Sequence, residues 1–329
     1  MLRRTCLAAT GLAFVGLCSA GLWSGPAAAQ GDYPSRTVRI IVPATPGGGS
    51  DTFARLVAQH LAKELNQQFV VENRPGGATL PAMEYVAGQA ADGYTLYLSP
   101  STVTSMHLVR KSMPWDVRKA FTGLTQLAVV PQALVINPKV PATSVKEYIA
   151  LAKREPGKLT YGSAGPGTGP HMAMELFNLM AGIKVQHVPY RGVSQSVTDI
   201  LGGSISGMML NLVTAKPHVE AGQLRVLGLS SSKRSSAMPD VPTIAEVGLP
   251  NYEALQWFGL MARSGTPPET LNRLQKLIAD GMRTPEMQAR LKTEGADAVV
   301  NTPDQFQKLI GSEIERWTKL AAAINLKPE

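Results

Sequence analysis

The sequence predicts an α/β fold in which mostly parallel strands alternate with helices. Short apolar runs, several of them β-branched, are typical of buried strands. They are followed by segments whose apolar residues recur every three or four positions, as on an amphipathic helix. Two of the strand-to-helix connections are rich in glycine, and after the N-terminal segment no long apolar run follows. We therefore expect a soluble α/β protein with a ligand site built on glycine loops.

The first glycine loop follows a predicted strand at 38–42 and holds three consecutive glycines at 47–49. Helical spacing begins at Asp51, and Ser50 is the predicted N-cap. Backbone N–H groups of a first helical turn form a natural anion site. The loop lacks both the lysine of a nucleotide P-loop and the G-x-G-x-x-G spacing of a dinucleotide site. Two interpretations stay open from the residues alone, a tight turn without a ligand and a carboxylate site.

The rest of the chain continues the alternation of strands and helices. Further strands are predicted at 69–73, 94–98, 133–136, 159–161, 185–188, 206–210, 224–229 and 256–261. Further helices are predicted at 81–91, 144–154, 172–180, 197–201, 213–221 and 243–247, from 266, from 286, and at 304–324. Capping boxes are expected at Ser144–Glu147 and Thr266–Glu269.

A second glycine loop, at 162–171, again lies between a strand and a helix. The chain thus contains two similar strand–loop–helix segments that are far apart in sequence. In parallel sheets, ligands gather at the carboxyl ends of the strands, where the loops at 43–51 and 99–104 would lie.

The N-terminus predicts an exported protein. Two arginines at 3–4 precede an apolar stretch at 6–22 and an Ala-x-Ala motif, which predicts a signal peptide over 1–29. The paired arginines leave the twin-arginine export route open beside the general one. Both cysteines lie within this segment, so the mature chain is expected to have no disulfide and no thiolate metal site.

Charge and histidine spacing argue against two other classes of ligand. The net charge of +8 suits small acidic ligands, but no basic run with interleaved aromatics is present, so nucleic acid is not expected. His60, His107, His187 and His218 have no metal-ligand spacing, and we expect no metal.

With both loops considered together, the chain resembles the periplasmic substrate-binding proteins of tripartite tricarboxylate transporters, the Bug-type family. The resemblance covers nearly the whole mature chain and rests on nine segments in the family's order. These segments are YP at 33–34, VRIIVPATPGGGSD at 38–51, VENRPGG at 71–77, ADGYTL at 91–96, SAGPGT at 163–168 with His171, HVPYRG at 187–192, SSKRSSAMPDVPT at 231–243, WFGLMARSGTP at 257–267 and ERW at 315–317.

The resemblance implies a two-lobed, type II periplasmic-binding-protein-like fold, each lobe a mostly parallel sheet flanked by helices, with the ligand cleft between the lobes. Lobe 1 would comprise 30–132 and 257–329, and lobe 2 would comprise 133–256. The implied ligand is a small organic mono- or dicarboxylate, a class that here includes aromatic acids and amino acids. The implied partner is the membrane permease of a tripartite tricarboxylate transporter. We expect a periplasmic monomer without a cofactor that is not an enzyme.

The resemblance also implies the ligand-binding residues, and no catalytic residue. They are Ala44, Pro46, Gly47, Gly48, Gly49, Ser50, Asp51, Ser101, Ser163, Ala164, Gly165, Gly167, Thr168, His171, Tyr190 and Asn211. The sequence departs from the family pattern in three places. These departures concern the ligand class more than the fold. The departures are Ala44 in place of an aromatic residue, Gly76-Gly77-Ala78-Thr79 in place of Gly-Ala-Gly-Gly, and Leu210-Asn211 in place of an Asp or Asn pair.

Several of these residues have a structural alternative. Asp51 would either hold a loop N–H, a water or a ligand hydroxyl, or only complement the helix dipole. Ser163 and Thr168, with the amides of 165–167, would bind the distal carboxylate, whereas outside the family they would be turn and cap residues. His171, Tyr190 and Asn211 could equally be packing, hydroxyl-satisfying and turn residues.

Two other functions remain open at this point. A periplasmic hydrolase would use Ser163 and His171, although Ser163 does not lie in a G-x-S-x-G elbow. A ligand sensor would keep the binding fold and signal through a different partner.

Overall fold

The strands and helices are taken from a computed structural model, which describes residues 33–47, 49–76, 79–293 and 295–328. The predicted signal peptide at 1–29 and the predicted ligand residue Gly48 lie outside the described residues. The chain divides into two units, Met1–Tyr33 and Pro34–Glu329. Within the described residues, no helix has the length and apolar character needed to cross a membrane.

The described strands form two sheets. The strands are β1 (Val38–Val42), β2 (Phe69–Asn73), β3 (Thr95–Pro100), β4 (Phe121–Val130), β5 (Gln132–Ile136), β6 (Thr160–Ser163), β7 (Gln186–Pro189), β8 (Gly207–Asn211), β9 (Arg225–Leu229), β10 (Gln256–Arg263) and β11 (Asp297–Ala298). The first sheet has the order β11-β4-β10-β3-β1-β2, and the second has the order β7-β6-β8-β5-β9.

The helices cover the connections between these strands. They are α1 (Gly49–Leu65), α2 (Leu80–Ala87), α3 (Val117–Ala120), α4 (Val145–Arg154), α5 (Gly169–Ala181), α6 (Val193–Gly202), α7 (Leu212–Glu220), α8 (Ile244–Val247), α9 (Pro268–Met282), α10 (Pro285–Thr293) and α11 (Pro303–Ala323). Two short 3-10 helices, Ser101–Thr104 and Met106–Val109, follow β3.

Apart from β11, which has no counterpart, the described strands of the two sheets follow one order. Each has a parallel half, β2-β1-β3 in the first sheet and β7-β6-β8 in the second. The next strand, β10 in the first sheet and β5 in the second, is antiparallel to this half. It pairs on its other side with β4 in the first sheet and with β9 in the second. The chain enters the second sheet at β5, directly after β4, and returns to the first sheet at β10. Each glycine loop therefore follows the central strand of a parallel half, β1 or β6.

The predicted α/β class with helices on the sheets is confirmed, but each sheet is mixed rather than mostly parallel. Sequence patterning missed β4 entirely, because Gly123, Thr125 and Gln126 interrupt its apolar residues and it is buried almost throughout. Sheet membership changes within about one residue of the predicted lobe boundaries at 132 and 256. The division into lobes stays a prediction, since Pro34–Glu329 forms one compact unit.

Two helix starts differ from those that the capping signals predict. Helix α1 begins at Gly49, so Ser50 lies inside the first turn and is not the N-cap. The expected box at Thr266 does not form, because Thr266 Oγ1 donates to the carbonyl of Arg263 at 2.7 Å and Pro267 is the N-cap. At α4, Ser144 does cap the helix by accepting from the Glu147 N–H.

The core of the first sheet fixes the position of the first loop. Val38, Ile40, Ile41 and Val42 of β1 are fully buried. Burial of each such side chain contributes about 1.5–3 kcal/mol relative to exposure. Strand β1 is thus packed on both of its faces, and the loop begins at the end of a rigid strand.

Candidate functional site

The first glycine loop turns sharply between β1 and α1. Gly47 has φ +83°, in the left-handed region that favours glycine, and its N–H donates to Asp51 Oδ2 at 3.0 Å. This bond folds the loop back onto the first turn of α1. The first-turn amides of Gly49 and Ser50 have no acceptor carbonyl within the helix, which leaves them suited to an anion.

Asp51 is the residue on which this loop is fixed. Its buried carboxylate accepts from Arg55 Nε at 2.9 Å and from Asn73 Nδ2 at 2.9 Å, and Asn73 also donates to the carbonyl of Ala44 at 2.9 Å. Partial burial raises the pKa of Asp51, but hydrogen bonds from Arg55, Gly47 and Asn73 outweigh it and hold that pKa below its usual value. Of the roles expected for Asp51, holding a loop N–H is the one present.

A cavity of about 130 Å³ lies against this loop. Residues from both sheets and their connections line it, among them Gly47, Gly49, Phe53, Val130, Asn211 and Phe258. The rings of Phe53 and Phe258 are 4.7 Å apart between centroids and make one apolar wall. The cavity therefore joins three predicted site residues, Gly47, Gly49 and Asn211, that are far apart in sequence. It offers a polar rim of amides beside an apolar wall, as small-molecule sites do.

The second glycine loop is organised by internal hydrogen bonds. The Gly165 N–H donates to Ser163 Oγ at 3.1 Å, and the Gly167 N–H donates to His171 Nδ1 at 3.1 Å. The Thr168 hydroxyl donates to the Gly165 carbonyl at 2.6 Å. These groups were expected to donate to a ligand carboxylate, but here they are used within the loop. The amides of Gly169 and His171, in the first turn of α5, have no intrahelical acceptor.

His187 is the residue of this region that sequence reasoning missed. Its Nε2 lies 2.7 Å from Ser163 Oγ, and its ring lies 4.3 Å from that of His171 and 4.8 Å from that of Tyr161, between centroids. Burial lowers the pKa of His171 to about 3, with a contribution from His187, and lowers the pKa of His187 to about 4. Both rings are thus neutral near pH 7. Only the pairing of β6 with β7, which sets His187 opposite Tyr161, could have located it.

The remaining predicted residues are placed as follows. Ala44 is partly buried, Pro46 is exposed, Ser101 is buried at the start of a 3-10 helix, and Ala164 is partly exposed in the second loop. The Tyr190 hydroxyl donates to Asp199 Oδ2 at 2.6 Å, so its polar end is satisfied by α6. The second loop also contacts the first sheet's connections, since Ser105 Oγ donates to the Gly167 carbonyl at 2.7 Å.

The geometry does not assemble the serine–histidine pair of a hydrolase from Ser163 and His171. Ser163 is fully buried and its hydroxyl lies against His187, while His171 Nδ1 accepts from a backbone N–H. A nucleophile must reach a substrate carbonyl. A fully buried hydroxyl with partners inside the protein does not reach one. Within the described residues, no group of three or more His, Cys, Asp or Glu side chains could hold a metal ion.

Comparison with known proteins agrees with this architecture. The family model described as tripartite tricarboxylate transporter family receptor matches residues 53–326. The chain is 36% identical over 311 residues to protein BugT of Bordetella pertussis, which covers 93% of this chain and 94% of that protein.

Two solved structures are similar over nearly the whole chain. The structure of Rpa4515 of R. palustris with adipate has a TM-score of 0.84 and 35% identity, covering 91% of this chain and all of that one. The structure of MatC from Rhodopseudomonas palustris with bound malate has a TM-score of 0.77 and 28% identity, covering 88% of this chain and 99% of that one. The family resemblance and the fold class predicted from sequence are both confirmed, and the chain belongs to the Bug-type receptors of the tripartite tricarboxylate transporter family, which are periplasmic solute-binding proteins.

Proposed function

We propose that this receptor binds a small organic carboxylate in the cavity beside the first glycine loop. The observation that carries the proposal is the cavity itself, where the first turn of α1 meets Asn211 from the second sheet. The first-turn amides of Gly49 and Ser50 and the helix dipole attract a carboxylate there, by about 0.3–1 kcal/mol for the dipole alone. The related proteins solved with adipate and malate support this ligand class.

The ligand site includes the predicted residues of the first loop and Asn211, with the α5 end of the second loop as its other polar boundary. Asp51 acts on the ligand through the loop that it fixes, since its oxygens already accept from Gly47, Arg55 and Asn73. Ser163 and Thr168 act in the same indirect way on the second loop. The ligand is released unchanged, and the protein is not an enzyme.

The receptor works in the periplasm as a monomer and delivers its ligand to the membrane subunits of a tripartite tricarboxylate transporter. The basic, apolar and Ala-x-Ala segments of 1–29 support export, and the family supports the transporter. When the ligand is bound, the helices on the two sheets close on it. The reason is that a ligand that contacts both sides favours the closed state.

A thermal-shift screen of the mature protein tests the proposal. The ligands are mono-, di- and tricarboxylates, amino acids and aromatic acids, and the control is the neutral diamide of each dicarboxylate. A carboxylate at a hundred times its Kd stabilises by about 2.7 kcal/mol, whereas its diamide leaves Tm unchanged. Recovery of the compound unchanged after incubation supports a receptor. Shifts with the neutral diamides alone, or consumption of the compound, would contradict the proposal.

A further inference from the structure

Three buried amide oxygens near the two crossing points of the chain have no hydrogen-bond donor among the residues that the structure describes. They are Gln132 Oε1, Asn211 Oδ1 and Gln256 Oε1. Gln132 opens β5 and Gln256 opens β10, the two strands by which the chain passes from one sheet to the other. Buried acceptors are satisfied in the great majority of cases, so three in one region indicate missing donors.

The three residues are neighbours in the fold. Gln132 and Asn211 are directly opposite each other in the β5–β8 ladder, so their side chains share a face of the sheet. A Cβ on Gly169 would lie 3.9 Å from Gln256 Cδ and 4.0 Å from Gln132 Nε2, so both glutamines border the first turn of α5. Asn211 lines the cavity, and Gln256 is opposite Val130, which lines it too.

The orientation of Gln132 is set by its neighbours. This side chain is 1% exposed, and its Nε2 donates to the carbonyl of Ala254 at 3.3 Å. The amide nitrogen must face that carbonyl, which fixes the position of Oε1 as an acceptor. Gln132 Oε1 is therefore a hydrogen-bond acceptor, and Nε2, whose second proton is not used by Ala254, lies on the side of Gly169.

We propose that these amides select, among carboxylates, those that carry a hydroxyl group. The inference rests on the proposed carboxylate function and adds the class of substituent. The carboxylate lies at helix N-termini, and the ligand's hydroxyl donates to Gln132 Oε1, with Asn211 and Gln256 as neighbouring acceptors. A hydroxyl suits the site better than an ammonium group, because all three acceptors are neutral and a buried cation without a counter-charge is costly. An unsubstituted carboxylate leaves the acceptors unpaired.

Matched ligand pairs test the selection by isothermal titration calorimetry on the wild-type mature protein. The pairs are succinate and malate, glutarate and 2-hydroxyglutarate, and propionate and lactate. For the pair that binds most tightly, we expect the hydroxylated member to bind at least about tenfold tighter, since a site with buried polar groups rejects the analogue that leaves them unpaired. Equal binding within that pair would overturn the inference but leave the carboxylate proposal intact. Binding of no carboxylate at all would instead contradict the proposed function.

Two variants locate the effect. Gln132→Met removes the acceptor at similar volume, and the Ala254 carbonyl keeps a donor in Ser230 Oγ at 2.8 Å. In this variant we expect the ratio of the affinities for the hydroxylated and the unsubstituted acid to fall toward one. The affinity for the unsubstituted acid itself should change little. Gln256→Met provides the same test should the first variant not fold.

Asn178→Leu is the matched control, because Asn178 Oδ1 is also buried with no donor in the described part of the chain but lies two turns further along α5. It should keep the full hydroxyl preference. Loss of the preference in Asn178→Leu, or its retention in both glutamine variants, would refute the assignment.

Discussion

At the scale of single residues, Asp51 shows how a charged side chain beside the proposed anion site can be structural. A carboxylate near a ligand carboxylate is unfavourable unless its charge is neutralised, and Arg55 supplies that neutralisation at 2.9 Å. The N–H of Gly47 and the amide of Asn73 occupy further lone pairs. Asp51 thus holds the loop in the shape that leaves the first-turn amides open.

Asp51→Asn tests this role. The change removes the charge and at least one acceptor from a buried group, and we expect the free energy of unfolding to fall by about 1–3 kcal/mol. Chemical denaturation at pH 7 measures it. The control Asp116→Asn also loses a carboxylate that accepts from an arginine, but that pair is more exposed, so the loss there should be below about 1 kcal/mol. Equal effects in the two variants would contradict the role given to Asp51.

At the scale of elements, the second glycine loop is held by two neutral imidazoles. His171 Nδ1 accepts from the Gly167 N–H, which requires that nitrogen to be unprotonated, and His187 lies against the Ser163 hydroxyl. The folded pKa values, about 3 and about 4, lie below the ordinary 6.5. Between about pH 4 and 6.5 the unfolded chain therefore binds protons that the folded chain does not, and stability falls as the pH falls.

His187→Gln isolates one of these protons. Glutamine can keep a hydrogen bond to Ser163 but does not titrate, so we expect a shallower loss of stability between pH 6.5 and 4, corresponding to about one proton fewer linked to unfolding. Denaturation curves at several pH values measure the slope. A slope identical to that of the wild type would show that His187 is not kept neutral by the fold.

Gly167 ties the second loop to the first sheet's connections. It has φ +73°, and a Cβ there would lie 2.7 Å from Val109 Cγ2. Gly167→Ala should destabilise by about 1–3 kcal/mol through backbone strain, with a further loss from the clash.

Gly157→Ala is the control for strain alone, since Gly157 has φ +76° and open space around the added carbon. Adding Val109→Ala to Gly167→Ala should restore the stability that Gly167→Ala loses beyond the loss in Gly157→Ala. Failure to recover it would mean that Val109 is not the obstacle.

At the scale of the whole molecule, the strand order explains which features the sequence could predict. Strand β1, α1 and β2 were predicted closely because their apolar periods are local and their breaks are marked by proline and glycine. The antiparallel positions of β5 and β10 could not be predicted from pattern, since both strands are apolar runs whose partners come from distant segments.

The same limit applies to the site. The two glycine loops and Asn211 at a strand end are local signals that a single sequence can show, and their role in ligand binding stays a prediction. The contacts of Ser163 with His187, and the approach of Gln132 to Asn211, depend on strand register, which a single sequence does not reveal. Residues that act through pairing are thus the ones that were missed or given a different role.

We propose that the cavity beside the first glycine loop holds the carboxylate. Thr52 lines that cavity on α1, outside the glycine positions, so Thr52→Trp fills the space and keeps every loop amide. Calorimetric titration with the tightest carboxylate from the screen compares wild type, Thr52→Trp and the conservative Thr52→Ser, with Tm of each free protein as the check on folding. We expect carboxylate binding in the wild type and in Thr52→Ser, and at least about a hundredfold weaker binding in a folded Thr52→Trp. Wild-type affinity in a folded Thr52→Trp would show that the carboxylate binds elsewhere.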